Sequence, residues 1–532
     1  MIKKLKWNVL NVLNVLMLSL SLLISACSSN TASNNPASTK ENNSSSEPVK
    51  LSVFIASRAT DAMYSNETLI WKELGKRLNI EFEFVTGDTK TMTEKFPIMV
   101  SSGEYPDIVS GKIRDFNKFG VQGAFIPLNE HIENAPNIQK YLMDNKEAKT
   151  QTMAVDGNIY SIPMLSAVRT SEGPLVRQDW LDRLGLQVPE TIDDWYNVLK
   201  AFKDKDANGN GDATDEIPFS TVGTPDSYYL DFADAWGIDL NVDGRWFEEN
   251  GRMVYSPIDP RAKEYLTTMN KWYSEGLIDK EMLSRQDKDY TAMIFNDKVG
   301  ATTHWIGYVA GFNARPEAQK IKGFNYQVTP PPVLNKEDKA LTSRQQLITV
   351  PWAWAISGKN KNVEATMKLF DYVYSDEGQI LLNFGVEGDT YAKNSDGIIQ
   401  YTDKIAKNPD GIAKALYRIG AQPLLGFRQD ALYEKASCVS DDACKQLFNY
   451  VDNNYFRDPA PSLKYTDDDA GNFNEISTQI STYVDEMLSK FIIGQEPLSK
   501  FDDYVATVKS MRFDELEQIQ TKAYESYKEL LK

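Results

Sequence analysis

Apolar positions first fall into register at Val49, Leu51, Val53 and Ile55, every second residue, the period of a strand with a covered face. A helical stretch follows around Leu69 to Leu78, and Ile80, Phe82 and Phe84 then alternate with Glu81 and Glu83. Strand, helix, strand is the opening of a parallel sheet. The pattern predicts a further helix over residues 91 to 102 and a strand over 106 to 110, PDIVS, so the first lobe reads as doubly wound α/β.

From about residue 176 the period becomes mostly helical. WLDRLGL, TIDDWYNVLKAFK and, later, EATMKLFDYVY carry apolar residues three and four apart, and they predict a helix-rich second lobe. Near residues 345 to 356, the stretch QLITVPWAWAIS (346 to 357) reads as extended and apolar, which suits a hinge or a strand shared between lobes. Two helical stripes close the chain: Ile476, Ile480, Tyr483, Val484, Met487, Leu488, Phe491 and Ile492, stopping at Gly494, and then Leu516, Ile519, Ala523, Tyr524, Tyr527, Leu530 and Leu531. Both are expected to be core. The expected division is 49–170 mainly the first lobe, 171–345 mainly the helix-rich second lobe, and 346–532 crossing segments with C-terminal helices shared between lobes.

The first residues follow another logic. Lys3, Lys4 and Lys6 precede an apolar run from about Val9 to Ile24 and then Ser25-Ala26-Cys27, the order of a secretory signal peptide. A cysteine directly after small residues predicts cleavage after residue 26, with Cys27 carrying S-diacylglycerol and N-palmitoyl chains. Residues 27–48, rich in Ser and Asn, have almost nothing to bury and predict a solvated tether between that anchor and the body. Losing the three lysines takes the formal charge from −17 to −20, which argues against nucleic acid as a partner. The roughly 480 residues that remain exceed what one core organises, so two lobes are expected.

Cys438 and Cys444 are the other cysteines, and in an oxidising compartment a local disulfide between them is expected, with two free thiols as the alternative. His131 and His304 are the only histidines, which leaves few parts for a zinc site or a His-based triad.

The sharpest motif is DKDANGNGDATDE, residues 204 to 216. Oxygen side chains at alternate positions, with glycines that let the chain fold back, direct several oxygens at one hard cation. The calcium-loop pattern fits from Asp204 or from Asp206, without the expected final Glu in either frame. The favoured ligands are the side chains of Asp206, Asn208 and Asn210, the Asp212 carbonyl, and Asp215 with Glu216; calcium would act as a structural staple.

Ligand clefts combine aromatic faces with a few placed polar groups that fix orientation. Aromatic residues form 11% of the chain, and several sit outside any core periodicity. Trp305 and Tyr308 lie in THWIGY, Trp352 and Trp354 two apart in PWAWA and so expected on one strand face, and Glu387 and Tyr391 in EGDTY. Arg58, Asp107, Arg177, Trp236 and Arg428 complete the candidates, near strand ends and loops where clefts of open α/β sheets form. Each is weighed against a plain role inside its own lobe.

EKFPIMVSSGEYPDIV (94 to 109), GAFIPLNEHIE (123 to 133), DGNIYSIP (156 to 163), VRQDWLDRLGLQVPETIDDWYNVLKAFK (176 to 203), the calcium loop with its IPF, EGQILLNFGVEGDTY (377 to 391) and the C-terminal stripe occur in matching order in one family. In these the chain resembles the family 1 extracellular solute-binding lipoproteins of Gram-positive bacteria, of the LplA or LipO type, and the related alginate-oligosaccharide-binding proteins. The resemblance implies a two-lobe periplasmic-binding-protein-like α/β fold of the class II type, a ligand cleft between the lobes, hinge closure, and delivery to the permease subunits of an ABC importer. It also implies calcium on Asp206, Asn208, Asn210, Asp215 and Glu216, although one extra residue precedes the Asp-Glu pair here. The expected function is that of a monomeric, non-enzymatic, lipid-anchored protein on the outer face of the cell membrane that captures an oligosaccharide. A lipid-anchored glycoside hydrolase or lyase and a sugar-sensing surface receptor are the alternatives; with 75 acids in the chain, carboxylate abundance decides nothing between them.

Overall fold

The computed structural model describes the backbone of residues 47–166, 172–221, 228–241, 245–306, 309, 312–313, 315–343, 348–395, 397–431, 433, 441–458 and 460–531. Cys27, Tyr308 and Cys438 lie outside these, so the expected lipidation, the Tyr308 contact and the Cys438–Cys444 pair fall outside the described structure.

The strands of the first lobe open with β1 (Val49–Ser57), β2 (Ile80–Asp88), β3 (Ile108–Lys112) and β4 (Ile162–Ser166). The second lobe holds β5 (Glu172–Arg177), β6 (Ile217–Phe219), the small hairpin β7 (Trp246–Glu249) with β8 (Arg252–Tyr255), β9 (Val299–Trp305) and β10 (Tyr326–Val328). The chain then adds β11 (Thr349–Ile356), a hairpin of β12 (Tyr391–Lys393) and β13 (Ile399–Tyr401), and β14 (Arg428–Gln429). Two sheets carry the architecture, one of six strands in the order β14-β4-β11-β3-β1-β2 and one of four in the order β10-β5-β9-β6.

The expected strand–helix–strand opening forms: β1 pairs in parallel with β2 from Val49↔Ile80 to Ser57↔Asp88, and with β3 on its other side. Between β1 and β2 runs helix α1 (Leu69–Leu78), which buries Ile70, Trp71 and Leu74 and stops at Asn79 in the left-handed region, φ 54°. Helix α2 (Thr89–Ser102) starts on an Asp88 cap that accepts from the Thr91 N–H, and helix α3 (Ile113–Val121) follows β3 without a break. Alternation then sorts the side chains. Leu51, Val53, Ile55 and Ile108 face α1 and the helices Val363–Tyr374 and Asp376–Phe384, while Phe54, Ala56 and Val109 face α2 and α3. With both faces covered, β1 is buried from Val53 to Ser57, as a central parallel strand must be.

Residues 346 to 532 divide by lobe. β11 is an inner strand of the first sheet, antiparallel to both β3 and β4, rather than a strand at a hinge. The helix Val363–Tyr374, whose periodicity suggested the second lobe, packs Met367, Leu369, Phe370 and Val373 into the first. Its apolar stripe states that it buries a face, not whose sheet receives it. The first C-terminal stripe joins the second lobe, where Ile480, Val484 and Phe491 share a core with Trp180, Trp195, Tyr265 and Trp272. Of the second stripe Leu516 enters that core and Ile519, Ala523 and Tyr524 are buried, but Leu530 at its end is exposed, a correction to its reading as core.

Candidate functional site

Strand direction locates the face between the lobes. The chain passes from the end of β4 at Ser166 to the start of β5 at Glu172, returns between Ser343 and Thr349, and leaves again after β14. In the first sheet these crossings share one edge, made of the carboxyl ends of β1, β3, β4 and β14 and the amino end of β11. In the second, the amino end of β5 pairs with the carboxyl end of β9, Glu172 opposite Trp305. Carboxyl ends of strands leave backbone groups and helix amino termini free to meet a ligand, which is why clefts of open sheets form there.

The first-lobe wall contains a cavity of about 300 Å³ between α2 and α3, floored by Phe54, Phe96 and Phe119. Trp352 and Lys112, register partners on β11 and β3, stand at its mouth, with the Lys112 ammonium 3.8 Å from the Trp352 ring centre. Burial, helped by neighbouring Arg114, holds the Lys112 ammonium below the usual lysine range. Burial also raises the Asp115 carboxyl against the opposing pull of Arg114, 3.6 Å away. At the β4–β14 side of the same edge an amide chain runs inward: Ser166 Oγ donates to Gln429 Oε1 (3.2 Å), Gln429 Nε2 to Gln422 Oε1 (3.1 Å) and Gln422 Nε2 to buried Asn383 Oδ1 (2.8 Å). Lys112, Asp115, Gln422 and Gln429 were not singled out from sequence. The strand expected to stop at residue 110 runs on to Lys112, and that extension is what delivers the lysine to the edge.

The candidates separate by position. Trp352 and half-buried Trp305 stand on the facing edges of the two sheets. Trp352 and Trp354 do not share a face: Trp354 is 1% exposed and stacked on Phe370 at 4.1 Å, whereas Trp352 packs with Ala353 and Ala355 on the opposite side. The register of β11 against β4 shifts between Val350 and Ala353, and such a bulge re-aims a side chain. Arg58 donates to the Gln422 carbonyl and to Tyr417 Oη, 2.6 Å, at the carboxyl end of β1. Arg428 lies over the Tyr141 ring and bonds Asp376 and the Tyr374 carbonyl, directing its charge to the outer helices.

Asp107 sits at the opposite end of the first sheet, where its carboxylate accepts from Ser52 N (2.8 Å) and Oγ (2.7 Å). Arg177, likewise at the far end of β5, is fully buried, gripped by Asp179 through Nε (2.7 Å) and Nη2 (2.6 Å) and by Asp297 (2.6 Å). Both are therefore corrections to the cleft assignment, because their polar atoms are consumed away from the edge that the crossings define. Trp236 is buried edge-on against Tyr265 in the second-lobe core, and Tyr391 is buried near Phe384 while Glu387 is exposed in the same turn. Between Trp236 and the returning crossing, buried Asp234 accepts from Ser343 N with both oxygens and pairs with Arg457 at 3.4 Å. Burial pushes its carboxyl up to about 6, against the pull of Arg457.

The loop after the helix Ile192–Asp204 folds as its spacing dictates. Gly209 and Gly211 take φ 76° and 95°, and Asp206 accepts from the N–H groups of Gly209 (2.8 Å), Asn210 (3.0 Å) and Gly211 (2.9 Å). Asn208 Nδ2 (3.1 Å) and Asn210 Nδ2 (3.2 Å) both meet Asp215 Oδ1, so two amides and a carboxylate converge. Glu216 Oε2 is buried with no hydrogen-bond partner, and burial raises that carboxyl. An orphaned buried carboxylate oxygen beside converging amides fits a cation, since amide oxygens and nitrogens exchange places by a flip. Asp212 turns its side chain to Thr214, leaving its carbonyl. Among the described residues no three His, Cys, Asp or Glu side chains gather as metal ligands, so a cation here would depend on the asparagines.

Two lobes, each with its own sheet and joined through one edge of each sheet, have the layout of a solute-binding protein. A model of the bacterial extracellular solute-binding proteins matches residues 60–380, more than half of the chain, and the chain belongs to that family. It is 27% identical over 511 residues to the fructooligosaccharide ABC transporter substrate-binding protein FusA of Streptococcus pneumoniae serotype 4, covering 90% of this chain and 91% of that one. It is 26% identical over 544 residues to lipoprotein LipO of Bacillus subtilis strain 168, covering 96% and 97%. In structure it is similar to the alginate-binding protein AlgQ2 solved without calcium ion, with a TM-score of 0.71, 29% identity, and coverage of 90% and 98%.

Proposed function

We propose that this chain is a lipid-anchored receptor on the outer face of the cell membrane that captures an oligosaccharide and passes it to the permease subunits of an ABC importer. The observation that carries the reading is the placement of Trp352 and Trp305 on the edges of the two sheets at which the chain crosses between lobes. Rings of that kind receive the C–H face of a sugar. FusA, similar over nearly the whole chain, is named for fructooligosaccharide, and LipO as a lipoprotein. Cys27 supplies the anchor, and no helix among the described residues is long and apolar enough to cross a membrane.

Calcium on Asp206, Asn208, Asn210, Asp215 and Glu216, with the Asp212 carbonyl, staples the second lobe and takes no part in ligand chemistry. The reading is of a binding protein and not an enzyme, in keeping with relatives named as substrate-binding proteins; a hydrolase would need two carboxylates across the glycosidic bond. The test is calorimetric titration of the full-length chain in mild detergent with neutral and acidic oligosaccharides, followed by chromatography of the recovered sugar. Saturable binding with intact sugar is expected; cleaved sugar would promote the hydrolase, and no binding to any saccharide would overturn the reading.

A further inference from the structure

We infer that the saccharide unit held against Trp352 bears a carboxylate, which makes the ligand an oligosaccharide containing sugar acids; this inference rests on the binding function proposed above. The Lys112 ammonium lies 3.8 Å from the centre of the indole face that a sugar would cover. No carboxylate among the described residues is within ion-pair distance of it; Asp115, the acid nearest in sequence, acts on it only from beyond that distance and lies 3.6 Å from Arg114. A cation resting on an indole gains about 0.5–2 kcal/mol, more as water is removed.

A neutral sugar that stacked on Trp352 would take that contact from a half-buried ammonium and return only hydroxyl bonds. A uronate unit presents an apolar C–H face to the ring and a carboxylate to the displaced ammonium, so both groups are satisfied at once. Hydrogen bonds between ionised partners are roughly twice as strong as neutral ones.

The surroundings agree. Lys112, Arg114 and Lys118 line the cavity against the single acid Asp115, in a chain whose formal charge is −17. A protein so acidic repels anions unless cations are focused where the ligand enters. The amino end of α3, which begins directly after Lys112, carries no side-chain cap, and its positive dipole end adds to the same local field.

The experiment titrates the full-length chain in detergent with two matched panels of tri- and tetrasaccharides. One panel comprises glucuronate, mannuronate and galacturonate oligomers, and the other their neutral counterparts together with fructose oligomers. The tightest ligand is expected among the uronates, with binding that weakens as salt is raised. Lys112→Gln should weaken that ligand about tenfold, the loss of one charge-assisted bond, while leaving weak neutral ligands within about twofold. Lys112→Arg should restore most of the loss, which separates the charge from any damage to the fold. A neutral sugar as the tightest ligand, or equal loss of neutral and acidic binding in Lys112→Gln, would overturn the inference while leaving saccharide capture standing. Binding of no saccharide at all would overturn the proposed function and this inference together.

Discussion

Two cations close two strands of this protein, and their surroundings are opposite. Arg177 ends β5 at the edge away from the lobe crossings, fully buried, with its guanidinium shared between Asp179 and Asp297. Lys112 ends β3 at the edge where the crossings leave, half-buried, with an aromatic ring as its nearest partner. A buried charge is tolerated when its partners are built in; a charge left with a ring is open to a partner from outside. The difference separates a residue that holds a lobe together from one available to a ligand, although both are basic residues at the carboxyl end of a strand.

That contrast can be broken by substitution. The largest effect is expected from Arg177→Ala, which strands two carboxylates and should cost about 3–5 kcal/mol of unfolding free energy, read by chemical denaturation. The two tryptophans of β11 should divide in the same way. Trp354→Ala leaves a cavity beside Phe370 and should cost about 3–5 kcal/mol of stability. Trp352→Ala should cost less than about 1 kcal/mol of stability yet weaken saccharide binding about tenfold or more. If both tryptophans proved equally destabilising, Trp352 would belong with Trp354 as core.

Smaller effects sharpen the picture of the second lobe. Chelation by EDTA should lower stability by about 2–3 kcal/mol relative to calcium at one hundred times its dissociation constant, and Glu216→Gln should abolish most of that difference. Asp234 has a folded pKa raised to about 6 by burial, so between the unfolded carboxylate range and pH 6 the folded state holds the extra proton. Its contribution therefore favours folding more as pH falls from about 6 towards 4, by at most about 1.4 kcal/mol per unit. Subtracting the stability profile of Asp234→Asn from that of the wild type should isolate this slope. A flat difference would mean that Arg457 and Ser343 keep the carboxylate ionised throughout.

Sequence legibility followed the range of the interactions. The strand–helix–strand opening, the first C-terminal stripe with the start of the second, and the turn geometry of residues 204 to 216 are written in neighbours a few positions apart, and the folded chain has them. The cleft wall is not local: Trp352 meets Lys112 only because β11 returns from the second lobe to lie between β3 and β4. Nothing in PWAWA announces the bulge that sends its two rings to opposite faces. Arg177 read as a candidate because strand ends are where clefts form, but which end faces the other lobe depends on the antiparallel pairing of β5 with β9. Asp107 failed for the same reason, at the opposite end of the first sheet.

The central claim is that a saccharide is captured whole at the facing strand edges, against Trp352. A crystal structure of the full chain with its tightest oligosaccharide tests it most directly. The account predicts an intact sugar between the lobes with one ring stacked on the Trp352 indole and Lys112 turned from that face to the ligand. A saccharide bound elsewhere, with Lys112 still resting on Trp352, would contradict it.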